Sequence, residues 1–224
     1  MRVAIDYFSK RSPLRRLASS FSLRARRRMF AHVMRRIDFT EHTTVLDVGV
    51  TPDRDLPESN FFEALYAHPE NITATSIEDA SNISTTFPGV KFVRTSGVRL
   101  PFADKTFDVA VSFAVLEHVG EPANQARFLQ ELARVARIVF VTTPDRDFPI
   151  ELHTFLPLAH WLPQRLHQAI LRALGMTFWA KTENLNLVRG AELLKLAEPT
   201  GMRATLEYNR LFGLSSNLLL LLRA

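Results

Sequence analysis

Several stretches put chemistry-bearing residues where buried strands should end. Thr44-Val-Leu-Asp-Val-Gly49 is an apolar run closed by a glycine, and a glycine at a strand exit lets the backbone approach a ligand closely. About thirty residues further on, Ile72–Ile77 runs into Glu78 and Asp79. An acid at that point is placed to accept both hydroxyls of a ribose, as in dinucleotide-binding folds. His118 follows the apolar run Phe107–Phe113, and Asp145 follows Thr142-Thr143-Pro144. Further along, Phe148-Pro-Ile-Glu-Leu-His153 sets a glutamate and a histidine within three residues of each other. Histidine has the right pKa to accept a proton at neutral pH, so His118 and His153 are the candidates to orient or deprotonate a nucleophile. His153, His160 and His167 recur every seven residues, a spacing that would align them on one helix as a metal site. Pro157 and Pro163 fall between them and break such a helix, so no metal is expected.

The elements that must position these residues alternate. Strands are expected at 44–49, 72–77, 90–94, 107–113 and 137–142. Helices are expected from 60, where Asn60 and Glu63 have the spacing of a capping box, and from Pro122, with Phe128, Leu129, Leu132 and Val135 on one face. Alternating strands and helices imply a parallel sheet with right-handed crossovers. Ligands then sit beyond the carboxyl ends of the strands. Residues 145–180, with three prolines and many aromatics, read as an inserted cap of short helices. A helix follows at 189–198. Met202–Tyr208 and Asn217–Leu222, separated by Gly213 and Ser215-Ser216, read as an antiparallel pair on the sheet edge.

Three ordered motifs extend this reading. Val45-Leu-Asp-Val-Gly49, Leu100-Pro-Phe102 with Phe107-Asp-Val109, and Leu116-Glu-His-Val119 together resemble the class I S-adenosylmethionine-dependent methyltransferases of the "methyltransferase domain 11" type, over about residues 43–142. The resemblance implies a Rossmann-like, mostly parallel seven-stranded sheet with an antiparallel terminal strand. It implies S-adenosylmethionine as cofactor and methyl transfer to an O, N or C nucleophile on a small-molecule or lipid-linked acceptor. It places Asp47, Gly49, Val50 and Thr51 along the methionine end and Glu78, with Asp79 beside it, at the ribose. Ser96, Gly97 and Val98 would border the adenine, and Ser112, Phe113 and Ala114 the sulfonium. The glycine loop departs from the family pattern, reading Gly49-Val-Thr-Pro-Asp53. Pro52 has no N–H to donate, so Thr51 or Arg54 is the expected substitute partner for the methionine carboxylate. A catalytically silent binding protein of the same fold and an RNA methyltransferase are the alternative readings.

Composition and charge bound these readings. The 224-residue chain contains no cysteine, which excludes a disulfide scaffold, cysteine-ligated zinc, iron–sulfur clusters and a thiol nucleophile. The Gly-x-Gly-x-x-Gly turn of nicotinamide enzymes is absent, as is the Asn-Pro-Pro-aromatic motif of adenine-modifying DNA methyltransferases. Net charge is +5, but residues 1–36 carry eleven basic residues and one acid, +10, leaving −5 on the remainder. We therefore expect a basic amphipathic arm over 1–40, with an apolar stripe through Leu14, Leu17, Phe21, Ala25, Met29, Phe30, Val33 and Ile37, ahead of a catalytic domain over 41–224. Such an arm meets phosphates on an anionic membrane or a charged acceptor, with nucleic acid the lesser expectation. With no apolar leader and a leucine run of only Leu218–Leu222, the expected setting is cytoplasmic, with peripheral membrane contact through the arm.

Overall fold

The computed structural model describes residues 13–53 and 59–224, with the side chains of 13–22 left out of the description. Seven strands form one sheet: β1 (Val45–Val48), β2 (Ile72–Ser76), β3 (Lys91–Arg94), β4 (Phe107–Phe113), β5 (Ala136–Pro144), β6 (Arg203–Leu211) and β7 (Leu214–Arg223). Their order is β3-β2-β1-β4-β5-β7-β6. The first five strands pair in parallel, and β7 alone runs the other way, antiparallel to both β5 and β6. The expected antiparallel pair is therefore present. Its second member, however, slots inside the sheet against β5, and β6 takes the edge. The leucine run explains this. Leu218–Leu222 is buried on both faces, as an interior strand requires, whereas β6 is only partly covered.

The alternation of side chains sorts the core into two layers. Val45, Val109, Val111, Phe113, Phe140, Leu219 and Leu221 face one side, with α1 (Pro13–Arg36), α2 (Phe61–Leu65) and α3 (Ile83–Thr86). Leu46, Val48, Ala110, Val139, Val141, Leu218, Leu220 and Leu222 face the other. There they meet α4 (Pro122–Val135) and α6 (Gly190–Ala197) through Phe128, Leu129, Leu132 and Leu193. Burial on both faces is why the central strands read as continuous apolar runs.

The C-terminal half of α1 joins the first layer through Met29, Val33 and, just past its end, Ile37. His32 and Arg36 both reach Glu207 of β6, at 3.0 and 2.7 Å. Arg24, Arg27, Arg28 and Arg35 face outward. Leu14, Leu17 and Phe21 of the expected stripe lie outside the described side chains. The cap after β5 holds a short turn at Ala159–Trp161 and the helix α5 (Gln164–Ala173). No described helix is long and apolar enough to cross a membrane.

Candidate functional site at the carboxyl edge of the sheet

The exit of β1 is built by its neighbours. Gly49 has φ +107°, and a Cβ there would lie 2.2 Å from Val115 Cγ2, so only glycine fits between that turn and the β4 exit. The Gly49 and Val50 amides both donate to the Thr75 carbonyl. Asn60 then clamps the loop: its side chain accepts from the Thr51 amide at 2.9 Å and donates to the Thr51 carbonyl at 2.8 Å. This overturns the capping box. Asn60 sits at φ 51° with no side-chain cap bond. Its amide goes to the loop because a long-range partner outcompetes the local one. Glu63 is likewise turned inward, buried against Asp47. Burial, then the charge of Glu63, raises the Asp47 carboxyl well above its usual range, against a lowering pull from Arg26 of α1. Burial also raises Glu63, partly offset by the neighbouring Asp47. Arg54 lies outside the described residues.

The next exits are more open. Glu78 is half-buried just past β2, and its carboxylate carries no hydrogen bond or ion pair among the described residues; only its amide is engaged, with Ser76 Oγ at 3.2 Å. Asp79 is exposed and accepts from the Ser81 amide; the Ser81 side chain and then its amide pull the carboxyl below the usual range. Ser96 is exposed, and its Oγ accepts weakly from the Val98 amide at 3.4 Å. Gly97 and Val98 are half-buried. A Cβ on Gly97 would meet the Phe128 ring at 2.5 Å, so that glycine lets α4 approach. Ser112 and Phe113 are internal. Ser112 donates to the Val48 carbonyl at 2.7 Å, stapling β4 to β1. Phe113 packs on Phe61 and Phe62, with ring centres at 4.7 and 5.8 Å. Ala114 turns the chain out of β4 at φ 57°.

Beyond β4 and β5 the two candidate histidines meet. His118 and His153 have ring centres 4.9 Å apart, and Trp179 lies 4.9 Å from His153 and 6.1 Å from His118. Each ring is held through Nδ1. His118 Nδ1 donates to the Asn184 carbonyl at 2.6 Å, and His153 Nδ1 to Glu151 Oε1 at 2.7 Å. Glu151 is buried and also accepts from the His153 and Thr154 amides and the Thr154 hydroxyl. Burial works to raise its carboxyl, but these bonds and the His153 charge outweigh it and hold Glu151 at about 2. Burial works to lower the His153 ring, yet Glu151 raises it; for His118 burial prevails over the charge of Glu117 and the ring is lowered. Arg26 of α1 acts electrostatically on both Asp47 and His153 and lies over the Phe61 ring, 5.4 Å from its centre.

One member of this cluster was not singled out from the sequence. Glu117 is fully buried; its Oε2 accepts from the Thr143 hydroxyl at 2.9 Å, and its Oε1 has no hydrogen-bond partner among the described residues. The run Leu116-Glu-His-Val119 contained the signal, an acid beside a candidate histidine. His160 and His167, by contrast, stand apart in the cap with ring centres 6.4 Å from each other, and His160 Nε2 donates to the Phe148 carbonyl.

Residues 58–138 match the methyltransferase domain family. A probable S-adenosylmethionine-dependent methyltransferase of Mycobacterium tuberculosis is 36% identical over 69 residues, which is 30% of this chain and 24% of that protein. The chain thus aligns with about a quarter of the length of these curated relatives. Among solved structures, the magnesium protoporphyrin IX methyltransferase of Synechocystis, crystallised with bound SAH, superposes with a TM-score of 0.62 at 13% identity, over 97% of this chain and 91% of that one. The [4+2]-cyclase SpnF superposes with a TM-score of 0.54 at 17% identity, over 80% of this chain and 58% of that one. The segment 58–138 thus resembles the methyltransferase domain, and the whole fold resembles that of S-adenosylmethionine-dependent methyltransferases. The cyclase shows that this fold also carries other chemistry.

Proposed function

We propose that the protein transfers a methyl group from S-adenosylmethionine to a nucleophile of a small-molecule or lipid-linked acceptor bound under the cap. The observation that carries this is Glu78, a carboxylate without a partner among the described residues at the exit of β2, one strand from the exposed positive-φ glycine that ends β1. Those residues fit a ribose and a closely approaching adenosyl group. The amides of Gly49, Val50 and Thr51 are already committed, so the methionine carboxylate must be held by other groups, and Arg54 is our candidate. The cofactor supplies an electrophilic methyl on a sulfonium. The chain has to hold the acceptor in line with it and keep water out. Ser96, Gly97 and Val98 border the adenine in this reading. Asp47 acts from behind the loop, and Ser112 and Phe113 set the floor beneath Ala114.

His118 and His153 face the acceptor, each anchored through Nδ1, while Trp179 gives an apolar wall. The setting we assign is cytoplasmic, with the outward arginines of α1 available to an anionic surface. A second reading, a binding protein of the same fold, draws on the committed loop amides. Mass spectrometry separates the two: incubation with methyl-labelled cofactor and a panel of hydroxyl, amine and carboxyl acceptors should give a labelled product and S-adenosylhomocysteine together. Cofactor binding without label transfer to any acceptor class would favour the binding protein.

A further inference from the structure

We propose that Glu117, His118 and His153 form a binding site for a divalent first-row transition-metal ion. Each offers one ligand atom, and the three atoms all lie within 4.8 Å of one another. Two imidazoles and one carboxylate are a donor set suited to Zn²⁺ or Fe²⁺ and poorly suited to Mg²⁺, which prefers oxygen. Ligand bonds of about 2.0–2.2 Å require the three side chains to close in slightly around an ion, a small rotamer adjustment for the two histidines.

Three independent features point to a ligand. The first is Glu117 Oε1, which is fully buried, without a hydrogen-bond partner among the described residues, and 3.9 Å from His118 Nε2. A buried acceptor left unmade is costly, and a cation would satisfy it. The second is the tautomer of each ring. Metal-bound histidines almost always donate the other ring N–H to a carboxylate or a backbone carbonyl. His118 does so to Asn184 and His153 to Glu151, the outer partners that such ligands use. The third is the support around them: Thr143 holds the second oxygen of Glu117, and Thr154 holds the second oxygen of Glu151. The site lies at the β4 and β5 exits, with both histidines partly accessible at side-chain exposures of 24% and 14%, so an ion there keeps open positions. What would fill them, a hydroxyl or oxyanion of the acceptor, rests on the methyl-transfer reading; the metal site itself does not.

The test is titration of chelator-stripped full-length protein with Zn²⁺ by calorimetry and with Co²⁺ by visible absorption. One equivalent should bind with micromolar or tighter affinity, and Co²⁺ should develop ligand-field bands. Glu117→Gln and His153→Ala should each weaken binding at least 100-fold. Glu151→Gln, which touches no ion, should weaken it about 10- to 100-fold, the scale of a lost outer partner. His167→Ala, a cap histidine outside the cluster, should leave binding unchanged, and unchanged melting in Glu151→Gln guards against misfolding. No binding by the wild type, or equal binding by wild type and Glu117→Gln, overturns the proposal. S-adenosylhomocysteine binding is measured on the same samples. Metal binding without it removes the methyl-transfer reading and leaves the metal site standing; the reverse removes the metal site alone.

Discussion

At the scale of single residues, the structure separates groups that face outward at the strand exits from groups that build the exits. Glu78 belongs to the first kind. Replacing it with alanine removes no contact within the described fold, so Glu78→Ala should weaken S-adenosylhomocysteine binding by about 1.5–3 kcal/mol, the scale of hydrogen bonds to a charged acceptor, with little change in melting temperature. Unchanged affinity in calorimetry would move the ribose contact elsewhere. The Asp47–Glu63 pair belongs to the second kind. Both carboxyls are raised in the folded state, so the folded protein holds protons that the unfolded chain releases. Stability from this pair is therefore greatest in acid and falls as pH climbs from the ordinary carboxylate range, about 4, through the raised folded values. Glu63→Gln should raise the melting temperature at neutral pH and flatten its decline as pH rises above the ordinary carboxylate range, about 4. A variant that melts lower than wild type across that range would show that the charge of Glu63 is needed.

At the scale of elements, the legibility of the sequence followed how local the cause was. β1, β2, β4 and β5 are buried runs bounded by turns, and all four were readable within a residue or two at most ends. The Asn60–Glu63 pattern was misleading because its partners lie elsewhere: Thr51 for Asn60 and Asp47 for Glu63. Insertion of β7 between β5 and β6 is a non-local pairing that strand patterns alone do not specify. Gly49, Glu78 and His118 were legible as positions just past strand ends, whereas the meeting of His118 with His153 of the cap was not. The burial of Ser112 and Phe113, and the orphaned oxygen of Glu117, depend on packing that only the fold supplies. The stripe on α1 was legible at Met29, Val33 and Ile37, which now cover the first core layer. Met29→Ala should therefore cost about 2–5 kcal/mol, as core truncations do, read by urea unfolding. A loss below 0.5 kcal/mol would mean that the helix does not dock on the sheet.

At the scale of the whole molecule, the charge is divided: +10 over residues 1–36 and −5 over the rest, with Arg24, Arg27, Arg28 and Arg35 facing outward. Contact with an anionic bilayer made this way is electrostatic and screened by salt. The chain should sediment with phosphatidylserine vesicles at low ionic strength and be released at about 0.5 M salt; no association at low salt would remove the membrane from the account. Arg26 of the same arm acts electrostatically on Asp47 at the β1 exit and on His153 in the cap, the two sides of the place proposed for the cofactor. The claim that this place holds S-adenosylmethionine is tested most directly by calorimetric titration of the wild-type protein with S-adenosylhomocysteine. One equivalent binding at micromolar affinity or tighter, about −8 kcal/mol, is the predicted result. No heat and no shift in melting temperature at millimolar ligand would contradict it.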